Sequence, residues 1–241
     1  MRLVSRSRRT ALTASLCIFS APAAQGQATT TSANPYPAMA PASRYMIANR
    51  NDEITLAKSA APPSIADHAE VLVLDARGYE TAVKGTNGFV CFVGRSWDVN
   101  FNDPQFWNPK IRAPQCDNAT SARSVLPRYL TRTQRVLAGT SKAEMQKLET
   151  ADWTAAKLKA PELGAVCYMM SKHGYLNDDG GAWRPHVMFF APRAAGAAWG
   201  ADLAGSPMMS DSSSYERTTI FMVVVPNWSD GTAGPPLKAG A

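Results

Sequence analysis

The chain has 241 residues, 45% of them apolar and 18% charged, with a formal net charge of +6. Four arginines among the first nine residues supply four of those charges, so the remainder carries only +2. A charge that small leaves no electrostatic footprint for nucleic acid or an anionic membrane, and no run of Lys and Arg interleaved with aromatics supplies one locally.

Met1–Arg9 is basic and free of acids, and the apolar run Ala11–Ala24 follows it. Small residues at Ala24-Gln25-Gly26 and Gly26-Gln27-Ala28 suit a signal peptidase, so 1–26 reads as a signal peptide. The apolar run is shorter than the ~18 residues a membrane span requires, and no later run reaches that length. Leu16 before Cys17 is too large for a lipoprotein signal, whereas Ser7-Arg8-Arg9-Thr10-Ala11-Leu12 resembles a twin-arginine export signal. Alanine stands where that pattern usually has phenylalanine, so both export routes stay open. The expectation is an exported periplasmic or secreted protein without a membrane span.

Residues 27–42 are rich in Thr, Ala and Pro without apolar periodicity, and read as a flexible linker. A single domain is expected over 43–241, because a mature chain of about 215 residues buries one good core. It opens with a helix over Ser43–Ala60, ended by Pro62-Pro63. Strands are predicted at Val71–Asp75, Tyr79–Lys84 and Phe89–Gly94. Asn87-Gly88 is the pair a type I′ hairpin turn favours, so the three strands read as a meander. Trp97–Cys116 is irregular, with aromatics at Trp97, Phe101, Phe106 and Trp107.

Ala122–Ala138 and Lys142–Leu158 carry apolar residues near a 3.6 period, and Thr140-Ser141 with Glu144 offers an N-terminal cap. Strands return at Ala165–Met170, His186–Ala191 and Thr218–Val225. The last, TTIFMVVV, has the continuous apolar character of a central strand covered on both faces. Long loops over 171–185 and 192–217 separate them, and such loops on a rigid sheet are where binding sites sit. The order α-βββ-αα-βββ implies an α+β fold with a mainly antiparallel sheet of about six strands and helices packed on it.

Three cysteines follow the signal segment. Cys91 and Cys116 bracket a loop rich in Pro, Asn and Asp, and in an oxidising compartment their bridge is expected, worth roughly 3.5 kcal/mol by the chain-entropy argument. Cys167 then remains a buried thiol.

Chemistry concentrates in SKHGYLNDDGGAWRPH. Here His186 would act as a base, Asp178 or Asp179 would orient it and Arg184 would bind an anion. The competing reading makes Asp178-Asp179-Gly180-Gly181 a solvated turn and His186 a strand-opening histidine bonded to a neighbouring carbonyl. Cys167, His173 and His186 match no zinc spacing, so neither metal nor cofactor is expected. Cys91 and Cys167 sit mid-strand, where a thiol stays inert. The serine-hydrolase elbow and the glycine-rich phosphate loops are absent. Trp97, Trp107 and Trp183 are candidates for lining a ligand groove. For the first two, the alternative is that their loop folds back and uses them as its own core.

SAAPPSI (59–65), GTNGFVC (85–91) with Cys116 following, GAVCYMM (164–170) and PHVMFFAP (185–192) together resemble a family of exported bacterial proteins without an assigned activity. That resemblance implies the Cys91–Cys116 bridge and a shared position for Pro185-His186, and it implies no reaction. Two function classes follow. The first is a non-catalytic domain binding a small molecule or an envelope component. The second is a hydrolase-like enzyme using His186, with an envelope-structural role as a further alternative.

Overall fold

The computed structural model describes residues 34–212 and 217–236; the expected signal segment lies outside them. Asn49 opens the first helix by accepting a hydrogen bond from Asn51 N–H on its side-chain oxygen (2.9 Å), so α1 spans Arg50–Lys58 rather than beginning at Ser43. Ala42–Tyr45 forms a separate 3-10 turn that buries Tyr45. Pro63 stands at the first position of α2 (Pro63–Ala66), where its missing N–H costs nothing; the Pro62-Pro63 pair starts a helix as well as following one.

The sheet has eight strands among the described residues: β1 (Glu70–Asp75), β2 (Gly78–Val83), β3 (Val90–Gly94), β4 (Ala113–Asp117), β5 (Val166–Met169), β6 (His186–Pro192), β7 (Met208–Ser212) and β8 (Thr218–Val224). Their spatial order is β2-β1-β3-β4-β5-β6-β8-β7. All neighbours are antiparallel except β1 and β3, which run parallel. The α+β class stands, and the sheet is mainly antiparallel, but it has eight strands in place of about six and one parallel pair.

The meander reading is corrected. β3 pairs with β1, on the side away from β2, because the apolar β1 (EVLVLD) is buried along its length whereas β2 (GYETAV) is half exposed and suits an edge. In the connection only Gly88 takes positive φ (+78°); Asn87 does not, and its side-chain oxygen accepts from Phe89 N–H in an Asx turn. TTIFMVVV is corrected too: β8 is second from the sheet edge, and although Thr218, Thr219 and Phe221 are buried, Ile220 and Met222–Val224 are only partly so. The strands buried most fully are β3 and β4, and β4 lies in the stretch expected to be irregular.

Three more helices complete the described chain: α3 (Ala119–Ser124), α4 (Leu126–Leu137) and α5 (Lys142–Thr154). The helix predicted over Ala122–Ala138 is therefore two, broken at Val125 because Pro127 lacks the N–H that would continue it. Ser141 caps α5 by accepting from Glu144 N–H (3.2 Å). Strand alternation sorts the core into two faces. Cys91, Val93 and Cys116 pack on α1 and α2 alanines, while Phe92, Cys167, Met188 and Phe190 pack under Leu126 and Tyr129 of α4. Cys91 and Cys116 face each other across β3 and β4 and form the expected disulfide. Cys167 is free and buried.

Residues 34–42, read as linker, are part of this unit. Tyr36, Met39 and Ala40 pack on an aromatic cluster of Tyr45, Trp97, Phe101, Phe106 and Trp107. Apolar periodicity does not reveal this because the contacts come from an irregular segment laid over a distant loop.

Candidate functional site

The α4 face of the sheet is covered by helices only over part of its width. Where β4, β5, β6 and β8 continue past α4 a cleft of about 340 Å³ remains. Its floor consists of alternate strand residues that share one face: Gln115, Met169, His186, Met188, Ile220 and Met222. The register places Met169 opposite His186, and Met188 opposite Met222. Arg128 and Tyr129 of α4 form one wall. Asp98 to Ile111 form the second, and Leu176, Asn177 and Trp183 the third.

Those two loops are joined. Arg112 and Tyr175 exchange backbone hydrogen bonds of 2.8 and 2.7 Å. Beside this bridge Asp178 gathers four donors: Lys110 Nζ at 2.5 Å, Tyr36 OH at 2.5 Å, Tyr175 OH at 2.6 Å and Asn108 Nδ2 at 3.3 Å. The Lys110 contact above all, then the two tyrosine hydroxyls, hold its carboxyl well below the usual carboxylate range. Asp178 is thus a clasp between loops and does not line the cleft.

His186 does line it, although only 2% of its surface is exposed. Its Nδ1 lies 2.7 Å from the carbonyl oxygen of Arg184, which can only accept, so Nδ1 carries the proton and Nε2 the lone pair. Burial lowers the imidazole pKa, and the Arg184 carbonyl partly offsets that. Trp183 stands edge-to-face against it at 4.8 Å, with a positive φ of 59° that a bulky side chain rarely adopts. Strain of this kind is retained where the surroundings over-determine the conformation, as at binding sites.

Of the sequence candidates, the structure brings His186 and Trp183 together. Asp179 is exposed in the turn closed by Asn177, whose side-chain oxygen accepts from Asp179 N–H (3.0 Å). The Arg184 guanidinium donates to Pro236 O (3.0 Å), so it is that residue's main chain that meets His186. Trp97 and Trp107 are 0% and 6% exposed within the aromatic cluster, and Trp97 Nε1 donates to Thr133 Oγ1 (2.9 Å). They are core, and the groove-lining reading of both is corrected.

Asp98, Gln115, Tyr129 and the three floor methionines did not stand out in the sequence. Asp98 accepts from Arg95 N–H through Oδ2 (3.1 Å), while its Oδ1 is buried without a hydrogen bond among the described residues. Burial pushes its carboxyl up to about 6, against the pull of Arg132, Arg128 and Arg95. Gly94 makes room for this arrangement: a Cβ there would stand 2.3 Å from Gln115 Nε2 and 2.6 Å from Asp98 Oδ2. The methionines did carry a signal, since each occupies an alternate position in a strand.

Among the described residues no three His, Cys, Asp or Glu side chains converge as a metal site, and no helix is long and apolar enough to cross a membrane. No protein family, curated protein or solved structure matches the chain.

Proposed function

We propose that this protein is an exported, non-catalytic binding domain of the bacterial envelope, and that its ligand is a small molecule with an apolar body and a hydrogen-bonding head. The observation that carries this reading is the cleft itself, a floor mainly of methionine and isoleucine that also holds Gln115 and His186, between walls bearing Asp98, Arg128, Tyr129 and Asn177. Pockets of small-molecule binders combine a concave apolar surface with a few placed polar groups in this way. The basic and apolar N-terminal segment and the Cys91–Cys116 bridge support export to an oxidising compartment.

Hydrolysis is the weaker reading. That reading places Asp178 or Asp179 beside His186, but His186 is bonded to a main-chain carbonyl, Asp178 is held by Lys110 and Asp179 stands in the turn closed by Asn177.

Thermal-shift titration against cell-wall fragments and small metabolites tests the proposal. A ligand at 100-fold its Kd stabilises by about 2.7 kcal/mol, a readily measured rise in Tm. Leu176→Trp, at the rim, is expected to fill the cleft and abolish the rise while leaving the unliganded Tm in place. Silence across a broad panel, or a response unchanged by Leu176→Trp, overturns it.

A further inference from the structure

The His186 end of the cleft floor has a composition of its own. Met169, Met188 and Met222 share one face of β5, β6 and β8 with His186, and all four line the cleft. Directly opposed residues on antiparallel strands have Cβ atoms about 4.5–5.5 Å apart. The Met169–His186 and Met188–Met222 pairs are opposed in this way, and Met188 is the next residue on the same face of β6 after His186. A methionine side chain has three rotatable bonds, so three thioethers on this patch can converge on one point above it. The imidazole contributes the remaining donor. Its Nδ1–H is engaged by Arg184 O, and its Nε2 bonds no described residue.

We propose that this patch is a soft-metal site that takes Cu(I), or its redox-inert analogue Ag(I), on the thioethers of Met169, Met188 and Met222 and on Nε2 of His186. Thioether sulfur and imidazole suit Cu(I), whereas Mg, Ca and Mn seek oxygen. The donor set is neutral, which matches a monovalent ion better than a divalent one, whose desolvation calls for anionic ligands. Cys167 lies opposite both Met188 and Asp117, but it is fully buried and does not line the cleft, which leaves it outside the donor set. The site deepens the reading of the cleft as a binding site and rests on it.

The mature, disulfide-intact protein, titrated anaerobically with Cu(I) against bicinchoninate, is expected to withdraw one equivalent per chain. Ag(I) is expected to move the NMR signals of the Met169, Met188 and Met222 methyl groups and to leave the other methionines in place. Met188→Leu with Met222→Leu keeps the floor apolar and the core filled, and is expected to weaken Cu(I) binding by roughly tenfold or more, equivalent to about 1.4 kcal/mol. His186→Gln is expected to weaken it similarly, with circular dichroism confirming the fold of both variants. Failure to withdraw Cu(I), undiminished binding by the leucine variant, or loss of binding in Cys167→Ser overturns the proposal. Cleft occupancy by an organic probe without Cu(I) capture also overturns it, and leaves the binding-domain reading standing. Cu(I) capture without any organic ligand supports the site and removes the organic-ligand reading instead.

Discussion

Asp117 is a residue on which pH acts directly. It ends β4 fully buried, with neither carboxyl oxygen in a hydrogen bond among the described residues. Burial pushes its pKa from 3.8 up to about 7; the neighbouring Cys167 and Ser121 pull it down by less, and Asp98 adds to the rise. In the unfolded chain the same group ionises near 4, so between pH 4 and 7 the folded state holds the extra proton. Its contribution to stability is fully present below about pH 4 and is lost as pH rises through about 7. Asp117→Asn removes this dependence. Urea unfolding across pH 4–8 should show the variant gaining on the parent protein with rising pH, by up to ~4 kcal/mol at pH 8. Parallel profiles for the two proteins would contradict this account. The sequence marks Asp117 only as a polar residue next to Cys116; its isolation follows from β5 and α3 closing over it.

At the scale of elements, α4 shows how far a helical period can be read. Leu126, Tyr129, Thr133 and Val136 recur at helical spacing, and all are buried as the pattern predicts. Arg132 also faces inward and is fully buried, which the pattern does not predict. Its guanidinium forms two bonds to Glu149 of α5, Nε to Oε2 at 2.9 Å and Nη2 to Oε1 at 2.6 Å. Nη1 donates to the carbonyls of Trp97 and Val99 at 2.9 and 2.8 Å. One side chain therefore ties α4 to α5 and to the start of the loop that walls the cleft. Glu149→Ala leaves that charge buried without its carboxylate, and should cost about 3–5 kcal/mol in chemical denaturation. A loss under 1 kcal/mol would mean that the pair is dispensable to the packing of α4 on α5.

At the scale of the whole molecule, the cleft depends on two loops far apart in sequence being held together. The Arg112–Tyr175 bridge and the Asp178 clasp do this. Asp178→Ala removes the partner of Lys110, Tyr36 and Tyr175 at an exposed position, so global stability should change little. Hydrogen exchange should accelerate over residues 99–111 and 175–183 while the sheet strands keep their protection, and affinity for any cleft ligand should fall. Unchanged exchange in both loops would show that the backbone bridge suffices.

The amino-acid sequence by itself determined the α+β class, six of the eight strands to within a few residues, the capped α5 and the Cys91–Cys116 pair. The first three arise from interactions local in the chain or from a simple apolar period, and the cysteine pair is read from the loop that Cys91 and Cys116 bracket. It also singled out His186 and Trp183, because a histidine that opens an apolar strand after a glycine-rich turn is visible locally. Only the tertiary structure decided that β3 lies beside β1, that Trp97 and Trp107 are core, that Asp178 is a clasp, and that three methionines share a floor with His186. Each of those depends on which segments, distant in the chain, are brought side by side. Side-chain alternation reports which residues share a face within one strand, whereas the energy that sets strand order comes from burial summed over segments distant in sequence.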